Sequence, residues 1–452
     1  MSNPRFHYML NAPVMPMLLR LSVPNVAIVL AQTASVIADA WFVGQLGGVV
    51  GTTALASLAV VYPLQALMQM MSAGAMGGGV SSAVARAMGA GQTQRAGDLV
   101  LHALVIGLAM AAAYALIAGI FARELFSLLG ASGAVLDGAV SYAHIMFGAG
   151  VALWLTNTFA SLLRGTGNML VPGFALVAAH VSHIALCGAL TLGWGPFPKL
   201  GVAGPALAFI VSFALAGVFL AVYVLAGKAG LPIRLGATKL RSANFRDILK
   251  VGAVACTNAL LTVATVFIIT RLVAGHGTAA LAGYGLGSRL ELLMVPLTFG
   301  VGAALTASVG ANFGAHQFAR ARRVAIIGSG IVFVLTGSIG LIAGIAPELW
   351  LAHFSTDPQV LAVGTAYLNK VGPLYGFFGM GMALYFASQG TGNMLWPLGA
   401  GVLRLLVAAG GATIASVWLG LSLDIIFVFV ACGLVVFGVT VAASLKARHW
   451  NP

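Results

Sequence analysis

The feature that most constrains this chain is a series of long apolar segments that recurs from one end to the other. Twelve such segments are separated by short polar connections. An α-helix rises 1.5 Å per residue, so about 20 residues cross the roughly 30 Å hydrocarbon core of a bilayer. Charged residues make up 7% of the chain, against about a quarter in soluble proteins. No alternating pattern typical of barrel strands is present. The sequence therefore predicts an all-α polytopic membrane protein.

The predicted spans fall into two sets of six, separated by one extended polar linker. The first set covers residues 17–44, 53–80, 98–120, 137–162, 170–193 and 202–227. The second set covers residues 249–274, 278–305, 322–345, 360–387, 396–418 and 424–445. The first apolar run is too long for the apolar region of a cleavable signal peptide, so we expect it to be the first spanning helix.

The basic residues predict the orientation. Sixteen of the 22 Lys and Arg residues fall on the side that holds the N-terminus, among them Arg234 and Arg448, three fall on the other side, and three lie within spans. The positive-inside rule then places both termini in the cytoplasm, in a bacterial inner membrane. The formal charge of +13 has the same explanation. No basic stripe with interleaved aromatic residues is present, so we expect no nucleic-acid partner.

The two sets of spans are copies of one another. "GTGNMLVP" begins at Gly165 and "GTGNMLWP" at Gly390, 225 residues later, and the same offset separates Tyr142 from Tyr367. Near Ala54, "TALASLAV" is echoed at an offset of 226 residues. Each copy has an even number of spans, so both enter the membrane from the same side and form parallel repeats.

We therefore expect two six-helix lobes around a central cleft, the usual architecture for alternating access. The expected boundaries are 1–227 for the N-terminal lobe, 228–248 for a cytoplasmic linker and 249–452 for the C-terminal lobe.

Several motifs in this order resemble those of multidrug and toxic compound extrusion (MATE) transporters. Pro24 is followed fifteen residues later by Asp39 and "VGQLG"; "ARAMGAG" ends the second span, and "RGTGN" follows the fourth. "GLGSRLELLMVPLTFGVGAALTASVGANFGAH" looks like the eighth helix of the family and the loop after it. The first-helix aspartate is similar to that of the DinF-like branch. The resemblance covers nearly the whole chain.

The resemblance implies a secondary antiporter that exports small organic compounds, often cationic or amphipathic, in exchange for protons or sodium ions. We expect a monomer whose partners are its substrates and the lipid bilayer. The chain has no G-x-x-x-x-G-K, H-E-x-x-H or C-x-x-C motif, and its three cysteines all lie in apolar segments. We therefore expect no enzyme activity, no cofactor and no resident metal.

Asp39 is the strongest candidate for the coupling site. It is the only charged residue between Leu21 and Leu46, and a carboxylate at the centre of a helix costs about 3 kcal/mol to insert. Aligning "FVGQLG" with "LVAGHG" places it opposite Ile269, so the fold does not require the acid. Burial favours the neutral acid, which allows a proton to be loaded and released. Alternatively, Asp39 follows Arg20 by nineteen residues, about 28 Å of helix, and lies at the outer interface.

Two histidines of the fifth span are candidate partners of Asp39. His180 and His183 share one helix face, and histidine can relay a proton; the alternative is ordinary interhelical hydrogen bonding. In the branch with the first-helix aspartate, the fifth helix often supplies an Asn and an Asp. Those positions hold His183 and Cys187 here, which puts the usual network in doubt.

Glu291 and Arg289 of the eighth span form an Arg-x-Glu that the family commonly has. Two residues apart, they point to different helix faces, so we expect no simple pair; packing against neighbouring helices is the alternative to a functional role. Another branch binds cations through acids of the seventh and tenth helices. Near Leu261 and Phe378 this sequence has neither acid, which favours protons over sodium.

Three further residues are weaker candidates. Pro24 removes a backbone hydrogen bond and can kink the first helix, either as a static bend or as a bend used in the cycle. Gln32 and Asn157 are candidates for lining the first-half cavity, although lone amides in membrane helices often just bond a neighbour.

Two other functions remain as alternatives. A flippase for lipid-linked precursors would need a more cationic cavity than Arg289, Lys370 and Arg404 provide. A membrane-embedded enzyme would need clustered catalytic groups within spans, and only the His180/His183 pair comes close.

Overall fold

The computed structural model describes residues 4–233, 236, 238–447 and 450, and within this part every regular element is a helix. Arg234 and Arg448, counted above on the cytoplasmic side, lie outside the described residues. Ten of the described helices are long and apolar enough to cross a membrane. The protein is therefore an all-α polytopic membrane protein, as the sequence predicts.

The helical segments follow the predicted order. After a short helix at Pro4–Asn11, the ten candidate spans are Val14–Gly44, Gly48–Gly89, Thr93–Ile120, Leu170–Leu192, Gly201–Leu225, Ser242–Ala274, Thr278–Gly314, Phe318–Ile345, Leu395–Trp418 and Leu423–Lys446.

The fourth and tenth predicted spans are each two helices instead of one. Gly133–Gly148 and Val151–Gly165 meet at a bend of 43°. In the tenth, Pro358–Val371 and Tyr375–Thr391 are joined by a single 3₁₀ turn that contains Pro373. Shifting the first break by 225 residues brings it onto the second, so the interruption belongs to the repeated unit.

Several helices extend further than the hydropathy pattern predicts. The seventh begins at Ser242 instead of residue 249, the second ends at Gly89 instead of residue 80, and the eighth ends at Gly314 instead of residue 305. Hydropathy detects only the part of a helix that lies in the hydrocarbon core, because only that part must be apolar. The backbone hydrogen bonds continue the helix beyond it into the polar region.

A group of ion pairs holds the polar start of the seventh helix. Asp247 accepts from Arg86 at 2.8 Å, from Arg95 at 3.0 Å and from Lys250 at 2.9 Å. These contacts connect both ends of the loop between the second and third spans to the segment that the sequence predicts as a linker.

The contacts divide the chain into two compact units. The first contains residues 1–7 and Val23–Gly252, and the second contains Tyr8–Ser22 and Ala253–Pro452. The start of the first span therefore belongs to the second unit, and the rest of that span belongs to the first.

The duplicated "GTGN" turns have the same structure in both units. A Cβ on Gly165 would lie 2.7 Å from the carbonyl oxygen of Ser81, and one on Gly390 would lie 2.8 Å from that of Thr306. The second glycine of each motif has a positive φ, 83° and 82°. The side chain of the asparagine then accepts from a backbone N–H in the first turn of the next helix, at 3.2 Å in both copies, from Val171 in one and from Leu395 in the other. The motif therefore serves close packing and a tight turn.

The second span contains a π-helical turn at Met70–Met76, whereas the eighth is α-helical throughout. A π-bulge inserts one residue into an α-helix. One extra residue explains why the repeat offset is 226 near Ala54 and 225 from Gly89 onward. By this register Gln65 precedes the insertion and corresponds to Glu291.

Candidate functional site

Asp39 meets two side chains of the fifth span. One carboxylate oxygen, Oδ1, lies 2.8 Å from Nε2 of His183 and accepts from the thiol of Cys187 at 3.2 Å. The side chain of Asp39 is 13% exposed and that of His183 is 0% exposed. His183 and Cys187 are one helical turn apart, so both can face the same oxygen.

The hydrogen-bond partners of His183 favour a neutral ring that carries a single proton. Nδ1 of His183 is buried and has no hydrogen-bond partner among the described residues. With one proton on Nε2, the neutral ring donates to the carboxylate and Nδ1 carries a lone pair. A second ring proton would leave a buried donor unsatisfied, which costs about 1–3 kcal/mol. The neutral ring with its proton on Nε2, donating to the ionised carboxylate, is therefore the arrangement that leaves no buried donor of this pair unsatisfied.

An apolar shell surrounds these polar atoms. Phe42, Cys187, Leu190 and Ala208 form a buried cluster against which further aliphatic side chains pack. The ring of Phe209 contacts that of His183 edge-on, with centroids 5.5 Å apart. Low polarity strengthens the Asp39–His183 interaction.

A metal ion has a conceivable donor set at this point. The carboxylate, ring nitrogen and thiol atoms lie within 4.8 Å of one another, the one such group found in the described part of the chain. These three donors differ in hardness and do not form a set that favours one particular metal. We assign no metal to the site.

His180 does not join Asp39. Its Nδ1 lies 3.1 Å from the hydroxyl of Ser35, and its ring packs edge-on against Phe213. The two histidines thus share a helix face but have different partners on the first span. Of the predicted pair, the structure brings His183 alone to the aspartate.

Pro24 lies inside the first helix and packs against the fifth span. A Cβ on Gly173 would lie 2.6 Å from Cβ of Pro24. The absent side chain of Gly173 therefore lets the proline approach closely. Whether the bend changes during a cycle stays a prediction.

The two amides each bond another polar side chain. Nε2 of Gln32 donates to Gln69 at 2.6 Å, and Nδ2 of Asn157 donates to the hydroxyl of Ser72 at 2.9 Å. Neither bond involves Asp39, and a role for these amides in a cavity stays a prediction.

In the second unit, the carboxylate of Glu291 has two side-chain partners. Its Oε2 accepts from the hydroxyl of Tyr367 at 2.6 Å, and its Oε1 accepts from Arg404 at 3.2 Å. Arg289 is exposed, whereas Glu291 is buried, so the two side chains of the Arg-x-Glu have different surroundings.

The repeat does provide a signal for one of these contacts. Tyr142, the counterpart of Tyr367, donates to Gln65 at 2.9 Å. Both units thus use the same tyrosine position to bond the same position of the second or eighth span. Arg404 has no such signal, because the equivalent position in the fifth span, Ala179, is not basic.

Comparison with known families identifies the chain. The MatE family model matches residues 24–188 and 254–414, one stretch in each unit. The chain belongs to the MatE family. It is therefore a membrane transporter and not an enzyme. The two matched stretches reproduce the internal repeat, and each ends in the fifth or eleventh span.

Relatives and solved structures agree with this family. The chain is 27% identical over 384 residues to an FAD transporter of Shewanella oneidensis, covering 84% of this chain and 83% of the relative. It is 26% identical to a probable multidrug resistance protein, YoeA, of Bacillus subtilis, covering 78% of each. A MOP superfamily transporter from Pyrococcus furiosus has the same fold, with a TM-score of 0.89 at 22% identity, covering 99% of this chain and 98% of the other.

Proposed function

We propose that this MatE transporter is a secondary antiporter that exports small organic compounds, cationic or amphipathic, in exchange for protons. Asp39 and His183 are the proposed coupling site. The observation that carries this proposal is the 2.8 Å contact between Asp39 and the buried ring of His183. A carboxyl and an imidazole in hydrogen-bond contact inside a spanning segment can bind and release a proton without requiring another ion.

The energy available to such a pump is sufficient for export. One proton that crosses 100 mV releases about 2.3 kcal/mol, and each unit of pH difference adds about 1.4 kcal/mol. Coupling requires that the proton and the substrate favour different conformations of the transporter. Loss of the titratable carboxyl should therefore uncouple transport while the fold remains intact.

The test uses inverted membrane vesicles with an imposed pH gradient. Adding the cationic dye rhodamine 123 in sodium-free buffer should release protons from vesicles that contain the wild-type transporter. Asp39→Asn should abolish the release. Asp137→Asn is the matched control, because Asp137 is 64% exposed and pairs only with the exposed Arg123 among the described residues. Proton release that persists in Asp39→Asn would refute the coupling role, and transport that requires sodium would refute the choice of ion.

The relatives suggest two substrate classes for the same assay. The multidrug name of the Bacillus relative favours a broad set of organic cations, and the name of the Shewanella relative makes FAD a specific candidate. Both should be added to the same vesicles. Movement of lipid-linked precursors instead of either class would favour the flippase alternative.

A further inference from the structure

The second unit contains a small cavity beside its buried charges. The cavity has a volume of about 30 Å³, which is enough to hold a water molecule or a small polar group. Its lining includes Glu291 and Arg404 together with the polar side chains of Thr265, Tyr284 and Ser288. A cavity with two charged and three polar side chains is unlike the apolar voids of a helix bundle.

The cavity lies at the position that the coupling site has in the first unit. Ile269 corresponds to Asp39, and by the offset of the "GTGN" motif Ala408 corresponds to His183. Both Ile269 and Ala408 line the cavity. The methyl group of Ala408 in place of an imidazole leaves space at this point. The second unit therefore has a polar site at the same location, but with different side chains.

Arg404 has more donors than its protein partner uses. A guanidinium has five N–H donors in a fixed fork, and Arg404 donates one hydrogen bond to Glu291 within the described residues. The guanidinium stacks on the ring of Phe378, 4.9 Å from its centroid. This stacking holds the plane of the fork without using its N–H groups.

We propose that Arg404 binds an anionic group, a carboxylate or a phosphate ester, of an exported compound, with Glu291 as the internal anion that occupies Arg404 in its absence. The site has room for the anionic group but not for a whole organic molecule, so the remainder of the compound lies outside the cavity. This inference rests on the proposed export function and adds a class of substrate to it: compounds that are acidic or zwitterionic. Tyr367 is a positioning residue, since it holds the other oxygen of Glu291.

The proposal predicts a gain of affinity from a loss of charge. Glu291→Gln removes the competing carboxylate, so an added anion should bind Arg404 more tightly, on the order of tenfold. The double variant Glu291→Gln/Arg404→Gln removes both charges and should lose the gain. Glu348→Gln, at an exposed glutamate of the same unit, is the matched control.

The measurement is binding of carboxyfluorescein to the purified transporter in detergent, read as fluorescence polarisation. Rhodamine 123 shares the xanthene ring system but is cationic, so it controls for the aromatic body of the dye. Glu291→Gln should bind carboxyfluorescein about tenfold more tightly than the wild type and should show no gain in affinity for rhodamine 123. Unchanged or weaker carboxyfluorescein binding in Glu291→Gln would overturn the proposal, as would a gain that persists in the double variant.

Two further arms separate the possible explanations. Inorganic phosphate and acetate compete with carboxyfluorescein if the site takes a free anionic group. Competition by vesicles of phosphatidylglycerol, but by neither small anion, would assign the site to a lipid headgroup and overturn the substrate role. Failure of the proposed export function would appear separately, as absent proton release with rhodamine 123 in the wild type, because the binding assay requires no transport.

Discussion

The ion pairs around Asp247 predict a specific loss of stability. In Asp247→Ala the guanidinium of Arg86 keeps its position but loses its carboxylate. The side chains of the pair are 10% and 12% exposed, and their atoms are 2.8 Å apart. Removing one partner of such a buried pair costs about 3–5 kcal/mol. We expect a value near the lower limit, about 3 kcal/mol, because Lys250 and Arg95 are 47% and 41% exposed and can turn toward water.

The comparison variants fix the interpretation. Arg95→Ala removes the more exposed pair and should cost no more than about 1 kcal/mol. Arg86→Ala should fall between the two, since Asp247 then keeps its two other partners. Thermal unfolding of the purified transporter in detergent, followed by tryptophan fluorescence, should rank the midpoints in that order.

A double-mutant cycle isolates the interaction. The double variant Arg86→Ala/Asp247→Ala should be more stable than Asp247→Ala alone, because the buried guanidinium that lost this carboxylate is gone. If Asp247→Ala melts together with Arg95→Ala, the ion pairs contribute little. The start of the seventh helix would then be held by packing alone.

Three further predictions concern single side chains of the spanning helices. His183→Ala should abolish dye-driven proton release, whereas His180→Ala should retain most of it, because only the first ring contacts the first-span aspartate; equal effects would contradict this division. Cys432 is exposed on the outer face of a spanning helix and should react with an apolar, membrane-permeable maleimide in folded protein, whereas buried Cys187 should react only after unfolding; early labelling of both would contradict the burial. Gly173→Ala should cost about 1–3 kcal/mol in unfolding, since its methyl group would meet the proline of the first span; an unchanged midpoint would show that the helices separate without penalty.

The membrane architecture could be predicted from the sequence because the bilayer demands apolar side chains along each crossing, and these are visible in the composition. Lipid offers no hydrogen bonds, so each crossing needs a continuous apolar helix. The helix ends were predicted less well because that cause ceases outside the hydrocarbon. At residues 242–248 the chain is polar and looks like a linker, but partners from another loop neutralise Asp247 and the helix begins seven residues early.

The polar sites divide in the same way. Asp39 is conspicuous because it is costly in its segment, and the spacing of His180 and His183 places both on one face. Spacing alone does not tell which ring reaches the aspartate, because that depends on how two helices rotate against each other. The partnership of Glu291 with Arg404 joins residues 113 positions apart. Only the packed helices reveal it, since nothing in the local sequence around Arg404 marks it as a partner.

The π-helical turn at Met70–Met76 also changes the rotational register between the two halves of one helix. One inserted residue rotates everything on one side of it by about 100° relative to an uninterrupted α-helix. The insertion lies between Gln65, which faces Tyr142, and the segment around Val84, which packs against the "GTGN" turn. Both contacts are present, so the neighbouring helices are placed to accommodate this rotation. The two halves of this transporter repeat one another in sequence, but their second and eighth helices differ in register by one residue and cannot replace each other. A single-residue deletion at residues 70–76 would return the helix to the pitch of its sister and leave one of its two faces pointing the wrong way.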